Sequence, residues 1–260
     1  MKDSVKIVIP IYKDHFGELE EKSFLQCVKL LGEFDIVLVQ PEGLDNSYIT
    51  KNYPQIEVKS FPKHYFKNIE GYNELLLSSS FYEAFLDVEY MLIYQLDAFV
   101  FKNDLKEWCQ KGYDYIGAPW IATPVDTFGK KVLNAVIKNF KSKKKKIREQ
   151  IFYKVGNGGF SLRKVASHYA IAKEKSEFIT DFLKADKKEI YFMEDVFWSL
   201  KAPEFNTDFK IPDYKEGVAF AIDRKPEIAL KINNNQLPFG CHGINKPKVI
   251  DFWKPILEKY

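Results

Sequence analysis

The sequence predicts a single α/β domain with a Rossmann-type, mostly parallel central sheet and helices on both faces. Three observations predict it. Short, almost wholly apolar runs recur through the first hundred residues, as doubly covered strands require. Segments with apolar residues at helical spacing separate them. Their order, strand, helix, strand and again strand, helix, strand, is that of parallel strands under helical cover.

Lys6 to Ile11 is the first strand, ending at Pro10 and a polar loop. Glu20 to Leu31 is helical, with Phe24, Cys27, Val28 and Leu31 on one face. Asp35 to Val39 is a second buried strand, closed by Pro41-Glu42-Gly43, and Ile56 to Phe61 a third, shorter one. Tyr72 to Leu86 returns to helical spacing, and Tyr90 to Leu96 is the fourth and most apolar strand. Ligands of such sheets bind beyond the carboxyl ends of the strands. The segments Pro10–Lys13, Pro41–Asn46 and Gln95–Phe99 are therefore the ones to watch.

The second half is less regular. Tyr113 to Trp120 reads as a short strand and turn, and Asp126 to Gln150 as a helix carrying a lysine run. Gly156-Asn157-Gly158-Gly159 is a tight turn entering Phe160-Ser161-Leu162-Arg163. Val165 to Lys173 and Glu194 to Leu200 are predicted helices. Pro238-Phe239-Gly240-Cys241-His242-Gly243 is a glycine-rich turn before a short final helix.

Composition narrows the function classes. Of 260 residues, 46% are apolar and 16% aromatic, enough for a sizeable core. A net charge of only +3 excludes a dedicated nucleic-acid binder. Cys27, Cys109 and Cys241 are odd in number and far apart, which excludes a zinc ribbon and fits reduced thiols. The N-terminus lacks a signal-peptide pattern and no run approaches the ~20 apolar residues of a membrane span. A cytoplasmic protein is expected. Lys141 to Lys146 is either a solvated face or a contact with anionic membrane at its inner surface.

A few residues stand out chemically. Asp97 ends an apolar strand, and an unpaired carboxylate there is costly. It either binds a divalent cation, which prefers oxygen ligands, or caps the following turn. Asn157-Gly158-Gly159 either lets backbone approach a ligand or forms an ordinary hairpin turn. Glu194-Asp195 either complements the dipole of a first helical turn or supplies a general base. His242, flanked by glycines, is a metal ligand or a satisfied turn histidine. Lys246 offers a point charge for a diphosphate. There is no Gly-x-Gly-x-x-Gly fingerprint after the first strand and no Walker-type loop.

In order and in residues, these pieces resemble the GT-A glycosyltransferases. More closely, they resemble a family of uncharacterised GT-A-like proteins often associated with bacterial surface-polysaccharide genes. The resemblance runs through Ile9-Pro10-Ile11-Tyr12-Lys13, Gly71-Tyr72-Asn73, Phe81-Tyr82, Tyr94-Gln95-Leu96-Asp97-Ala98, Tyr113 to Trp120, Gly156 to Arg163, Glu194-Asp195 and Phe239 to Gly243. It covers nearly the whole chain.

The resemblance implies a nucleotide-binding half over 1–100 and an acceptor-binding half over 101–260. Pro10, Tyr12 and Lys13 would line the nucleotide pocket, with Tyr72 and Asn73 beside base or ribose. Gln95-Leu96-Asp97 stands where the family has Asp-x-Asp, so Gln95 is left for a ribose contact and Asp97 for the metal, Mn2+ or Mg2+. His242 would be a second metal ligand. Trp120, Asn157, Gly158 and Gly159 would meet the sugar or acceptor. Asp195 would be the base and Glu194 its partner. The implied partners are a nucleotide-sugar donor, a UDP-sugar favoured, and a glycan or lipid-linked acceptor. A base on the acceptor side implies inversion, although His242 to Pro247 resembles a segment of retaining, glycogenin-like enzymes.

Gln95 also keeps open a non-catalytic module that binds nucleotide or carbohydrate. A nucleotidyltransferase is disfavoured, because Pro10-Ile11-Tyr12-Lys13 is not a glycine-rich basic loop.

Overall fold

The computed structural model describes residues 4–123, 149–184 and 193–260. Its main sheet has six strands: β1 Val5–Pro10, β2 Asp35–Pro41, β3 Glu57–Phe61, β4 Tyr90–Tyr94, β6 Tyr115–Gly117 and β7 Phe160–Lys164. They lie in the order β3-β2-β1-β4-β7-β6. The first four are parallel neighbours, and β7 runs antiparallel to both β4 and β6. The expected mostly parallel α/β sheet is the architecture found.

Alternation along the strands explains the two-sided cover. Ile7, Ile9, Leu38 and Leu92 face the helix Glu18–Leu31 through Phe24, Cys27 and Leu31. Val8, Val37, Met91 and Ile93 point the other way, against Leu75, Leu76, Phe81 and Tyr82. Successive residues of a strand address opposite faces, so an uninterrupted apolar run is what a doubly covered strand needs. Truncating one such buried leucine costs about 2–5 kcal/mol.

A second, three-stranded sheet joins β5 Ala98–Val100, β8 Ala221–Ile222 and β9 Gly240–His242 in the order β5-β9-β8. Its register pairs Ala98 with His242 and Ile222 with Cys241. Cys241-His242, expected in a turn, is thus a strand. These two pairings set His242 beside the residues that precede β5 and follow β8.

Other expectations change in detail. The strand from Tyr90 stops at Tyr94, so Gln95 to Asp97 form a turn, closed by the Ala98 amide on the Gln95 carbonyl at 2.8 Å. The helix expected over Tyr72 to Leu86 is two helices, Ile69–Leu77 and Ser79–Glu83. Ser78 breaks it with extended backbone, and its hydroxyl accepts from the Phe81 amide. This is the capping role that disfavours serine inside helices. The helix from Glu194 is a single turn that widens into a π-turn over Phe197–Lys201. Cys27, Cys109 and Cys241 are buried, and none is in a disulfide among the described residues. The lysine run and most of the helix expected over Asp126 to Gln150 lie outside the described residues. Among the described residues no helix is long and apolar enough to cross a membrane.

Candidate functional site

Two adjoining cavities open beyond the carboxyl ends of β1 and β4. The first, about 450 Å³, is lined by Pro10, Tyr12, Lys13, Phe16, Phe66, Tyr72 and the turn Gln95–Asp97, among others. The second, about 400 Å³, carries Asn73, Trp120, Asn157, Gly158, Gly159, Glu194, Asp195, His242 and Lys246. Ile69, Tyr72 and Gln95 line both. Every site residue that the resemblance implies, from Pro10 to His242, lines one or the other. The loop Pro41–Asn46 lines neither; Gln40 ties it down through the Leu44 carbonyl and the Asn46 amide.

The first cavity is aromatic and lightly charged. Tyr12 is 65% exposed at its mouth, and the Lys13 ammonium is held by Glu20 at 2.6 Å. Burial pushes the Tyr72 phenol up, so it stays protonated beside Gln95.

Where the cavities meet, His242 Nε2 lies 2.9 Å from Asp97 Oδ1 and 3.1 Å from Gln95 Oε1. Backbone fixes this geometry. The Gln95 amide donates to the Gly159 carbonyl at 2.8 Å, and the Ile244 amide to the Asp97 carbonyl at 3.0 Å. On the other side of the imidazole, Nδ1 lies 3.5 Å from Asp223 Oδ1, which also takes the Lys246 ammonium at 2.8 Å. Burial alone would lower the His242 imidazole; Asp223 and Asp97 outweigh it and push it up to about 9. Burial likewise opposes ionisation of Asp223 and Asp97. Contact with His242 and then Lys246 overrides it, bringing Asp223 down to about 2 and Asp97 below the usual carboxylate range.

These donors suit a divalent cation. Ligands of a six-coordinate ion with bonds of about 2.1 Å stand about 3 Å apart at right angles. The Asp97 carboxylate and the Gln95 amide oxygen each stand at about that spacing from His242 Nε2. Only two of the three belong to the usual metal-ligating types, and among the described residues no group of three or more His, Cys, Asp or Glu is placed to hold a metal.

The wall of the second cavity is organised from behind by Arg163. This fully buried arginine of β7 meets Glu194 at two points, each 3.0 Å. It also donates to the Tyr82 hydroxyl at 2.9 Å and to Ser161 Oγ at 3.0 Å. Asn73 is consumed in the same scaffold: its side-chain oxygen accepts from the Glu194 amide and its nitrogen donates to the Ile69 carbonyl, both 2.7 Å. Glu194 is therefore occupied, while Asp195 has no ion pair among the described residues. Burial and the neighbouring Glu194 charge raise the Asp195 carboxyl to about 7.

The turn before β7 is shaped by close approach. A Cβ at Gly158 would stand 1.7 Å from Glu194 Oε1, and one at Gly159 2.1 Å from His242 Nε2. The glycines admit protein side chains as well as bordering the cavity. Asn157 has positive φ of 61° and a buried side-chain oxygen that meets no donor among the described residues. Strain of this kind, in a residue lining a cavity, is characteristic of ligand sites.

Sequence reasoning missed Asp223 and Arg163. The signal for Asp223 was a carboxylate directly after Ala221-Ile222. For Arg163 it was a charge within an apolar strand.

The fold is similar to that of mouse xyloside xylosyltransferase 1 in its apo form, with a TM-score of 0.54 and 10% identity over 94% of this chain and 99% of that one. It is also similar to the galactosyltransferase LgtC, solved with donor and acceptor sugar analogues: TM-score 0.56, 12% identity, 98% of this chain and 95% of that one. At such identity the likeness concerns the fold, which is that of the GT-A glycosyltransferases. No curated protein sequence matches the chain. The profile of the family described as protein of unknown function DUF5672 matches residues 55–242, and the chain belongs to that family.

Proposed function

We propose that the protein is a glycosyltransferase that moves a sugar from a nucleoside diphosphate, UDP favoured, to a hydroxyl of a glycan or glycolipid acceptor in surface-polysaccharide assembly. The observation that carries this reading is the junction of the two cavities, where Gln95, Asp97 and His242 converge between an aromatic pocket and a carboxylate-lined one.

The roles follow from position. The nucleoside occupies the first cavity against Tyr12 and Tyr72, with the Pro10–Lys13 segment as its floor. Gln95, Asp97 and His242 would hold Mn2+ or Mg2+, which when bound would neutralise charge on the diphosphate. Lys246 adds a fixed positive charge on the same side. The sugar lies over Asn157, Gly158 and Gly159, beside Trp120, whose ring packs on Gly156. Asp195 accepts the proton of the acceptor hydroxyl as its oxygen bonds to the anomeric carbon. The bond from that carbon to the diphosphate breaks, and the electron pair leaves with phosphate. Glu194, locked by Arg163, positions Asp195. A base on the acceptor side corresponds to inversion, so the anomeric configuration of the product by NMR checks that part separately.

Residues 1–100 would then serve the nucleotide and 101–260 the acceptor within one domain. The test is thermal denaturation with UDP or GDP, with and without Mn2+. Binding to the folded state alone raises the melting temperature. A metal-dependent rise that Asp97→Ala abolishes is expected; no shift with either nucleotide overturns the reading. Transfer of label from a UDP-sugar distinguishes an enzyme from a module that only binds.

A further inference from the structure

Resting on that reading, we propose that Arg224 is a specificity-determining residue that grips an anionic group, a carboxylate or a phosphate, on the acceptor sugar. Arg224 lines the second cavity and not the first, and its side chain is 63% exposed. Among the described residues its ion-pair contact is Nε to Asp223 Oδ2 at 3.6 Å, beyond hydrogen-bond length. Asp223 is already satisfied, because its other oxygen takes the Lys246 ammonium at 2.8 Å. Arg224 is therefore not needed to balance Asp223. Its backbone is nonetheless held on both sides. Ile222 pairs with Cys241 in the small sheet before it. Lys225 after it adopts a positive φ of 56°, and the Lys225 ammonium donates to the Ile121 carbonyl at 2.7 Å. That conformation is strained for a residue other than glycine.

A guanidinium presents parallel N–H donors that match two oxygens of a carboxylate or phosphate. At Arg224 that fork is filled by no group among the described residues. Two carboxylates of the cavity do not oppose an anionic ligand, because Glu194 is engaged by Arg163 and Asp223 by Lys246. Asp195 is left for the acceptor hydroxyl. Trp120, Ile151 and Phe152 line the same cavity and suit the carbon face of a sugar ring. A neutral acceptor would use the aromatic surface and the carboxylate but leave the guanidinium to solvent. An acceptor with its own negative charge uses all three.

The test titrates the UDP complex, followed by NMR, with methyl glucuronide, methyl galacturonide and glucose 6-phosphate, and with neutral methyl glucoside and methyl galactoside. The expected result is that at least one anionic probe binds about tenfold or more tightly than its neutral parent. That preference should shrink with added salt and vanish in Arg224→Gln, which keeps the fold because the side chain is largely exposed. Whether a uronate or the phosphate wins identifies the group. Equal binding of every anionic probe and its neutral parent overturns the proposal, as does a preference that R224Q retains. UDP affinity should change less than threefold in R224Q; a loss as large as that of the anionic sugar would place Arg224 on the diphosphate and overturn the proposal. UDP-glucose and UDP-glucuronate should bind the wild type within threefold of each other. A preference for UDP-glucuronate that R224Q abolishes would assign the residue to the donor sugar and overturn it too. Absence of UDP binding by the wild type would instead overturn the glycosyltransferase reading.

Discussion

Arg163 and Glu194 form a two-point ion pair, both contacts 3.0 Å, in the core directly behind Asp195. A guanidinium fork matches a carboxylate in this way, and a lysine does not. The pair explains how a chain with few charges inside its apolar layers tolerates two buried ones at adjacent elements.

Breaking the pair from one side should therefore be severe. Arg163→Met leaves Glu194 buried without its partner, a defect that costs roughly 3–5 kcal/mol. Urea denaturation should show that loss, and adding Glu194→Gln should recover part of it. If R163M alone costs less than about 1 kcal/mol, the pair is not what holds this wall.

Asp195 gives a pH prediction with a definite sign. Its carboxyl titrates near 3.8 when unfolded and at about 7 when folded, because of burial first and Glu194 second. The folded state thus favours the protonated acid. The stability this contributes is complete below about pH 4 and is lost as pH rises through 7. Asp195→Asn cannot ionise, so at pH 8 it should be more stable than the wild type by on the order of 2–4 kcal/mol, and at pH 4 nearly equal. Transfer should behave oppositely. The wild-type kcat/KM should climb tenfold per unit up to about pH 7 and then level, while D195N loses at least 100-fold. A flat profile between pH 5 and 8 would remove Asp195 from the base role.

Tyr12 separates binding from folding. It is 65% exposed and lines the first cavity, so its removal has little to unfold. Tyr12→Ala should change stability by less than about 0.5 kcal/mol. It should weaken UDP binding about 5- to 10-fold if a base stacks on the ring, since an aromatic pair contributes about 0.5–1.5 kcal/mol. Calorimetry with UDP and with ribose 5-phosphate distinguishes a base contact from a phosphate one.

The contrast between Asp97 and Asp223 shows what was legible in the sequence. Asp97 follows Tyr90 to Tyr94, a run long enough to read as a strand, so its carboxylate stood out. Asp223 follows only Ala221-Ile222, a strand of two residues, and two residues have no period. The small sheet was hidden for the same reason. Gly240 and Gly243 made Cys241-His242 look like a turn, although its partners lie at Ala98, Phe99 and Ile222, remote in sequence. Arg163 was visible as a charge in an apolar strand, but its partner Glu194 is 31 positions on. Pairing at that distance is tertiary information. Local chemistry marked the residues after long strands, and non-local pairing decided which of them meet.

Gly159 tests whether that meeting matters. Its carbonyl accepts from the Gln95 amide, and a Cβ there would lie 2.1 Å from His242 Nε2 and 2.6 Å from Gln95 Oε1. Neither neighbour can retreat easily, since His242 is pinned in β9 and Gln95 in the turn after β4. Gly159→Ala should therefore push the imidazole and amide apart and destroy the roughly 3 Å spacing around Nε2. Overpacking of this kind costs about 1–3 kcal/mol, so the fold should survive with a lowered melting temperature. The Mn2+-dependent part of UDP binding should fall at least tenfold, while the metal-independent part, which depends on the first cavity, should stay within threefold. Gly112→Ala supplies the control, because its Cβ would meet nothing within 4 Å. That variant should lose stability through its positive φ of 70° and leave metal-dependent binding intact. If G159A keeps full metal-dependent binding, the convergence of Gln95, Asp97 and His242 is not the cation site.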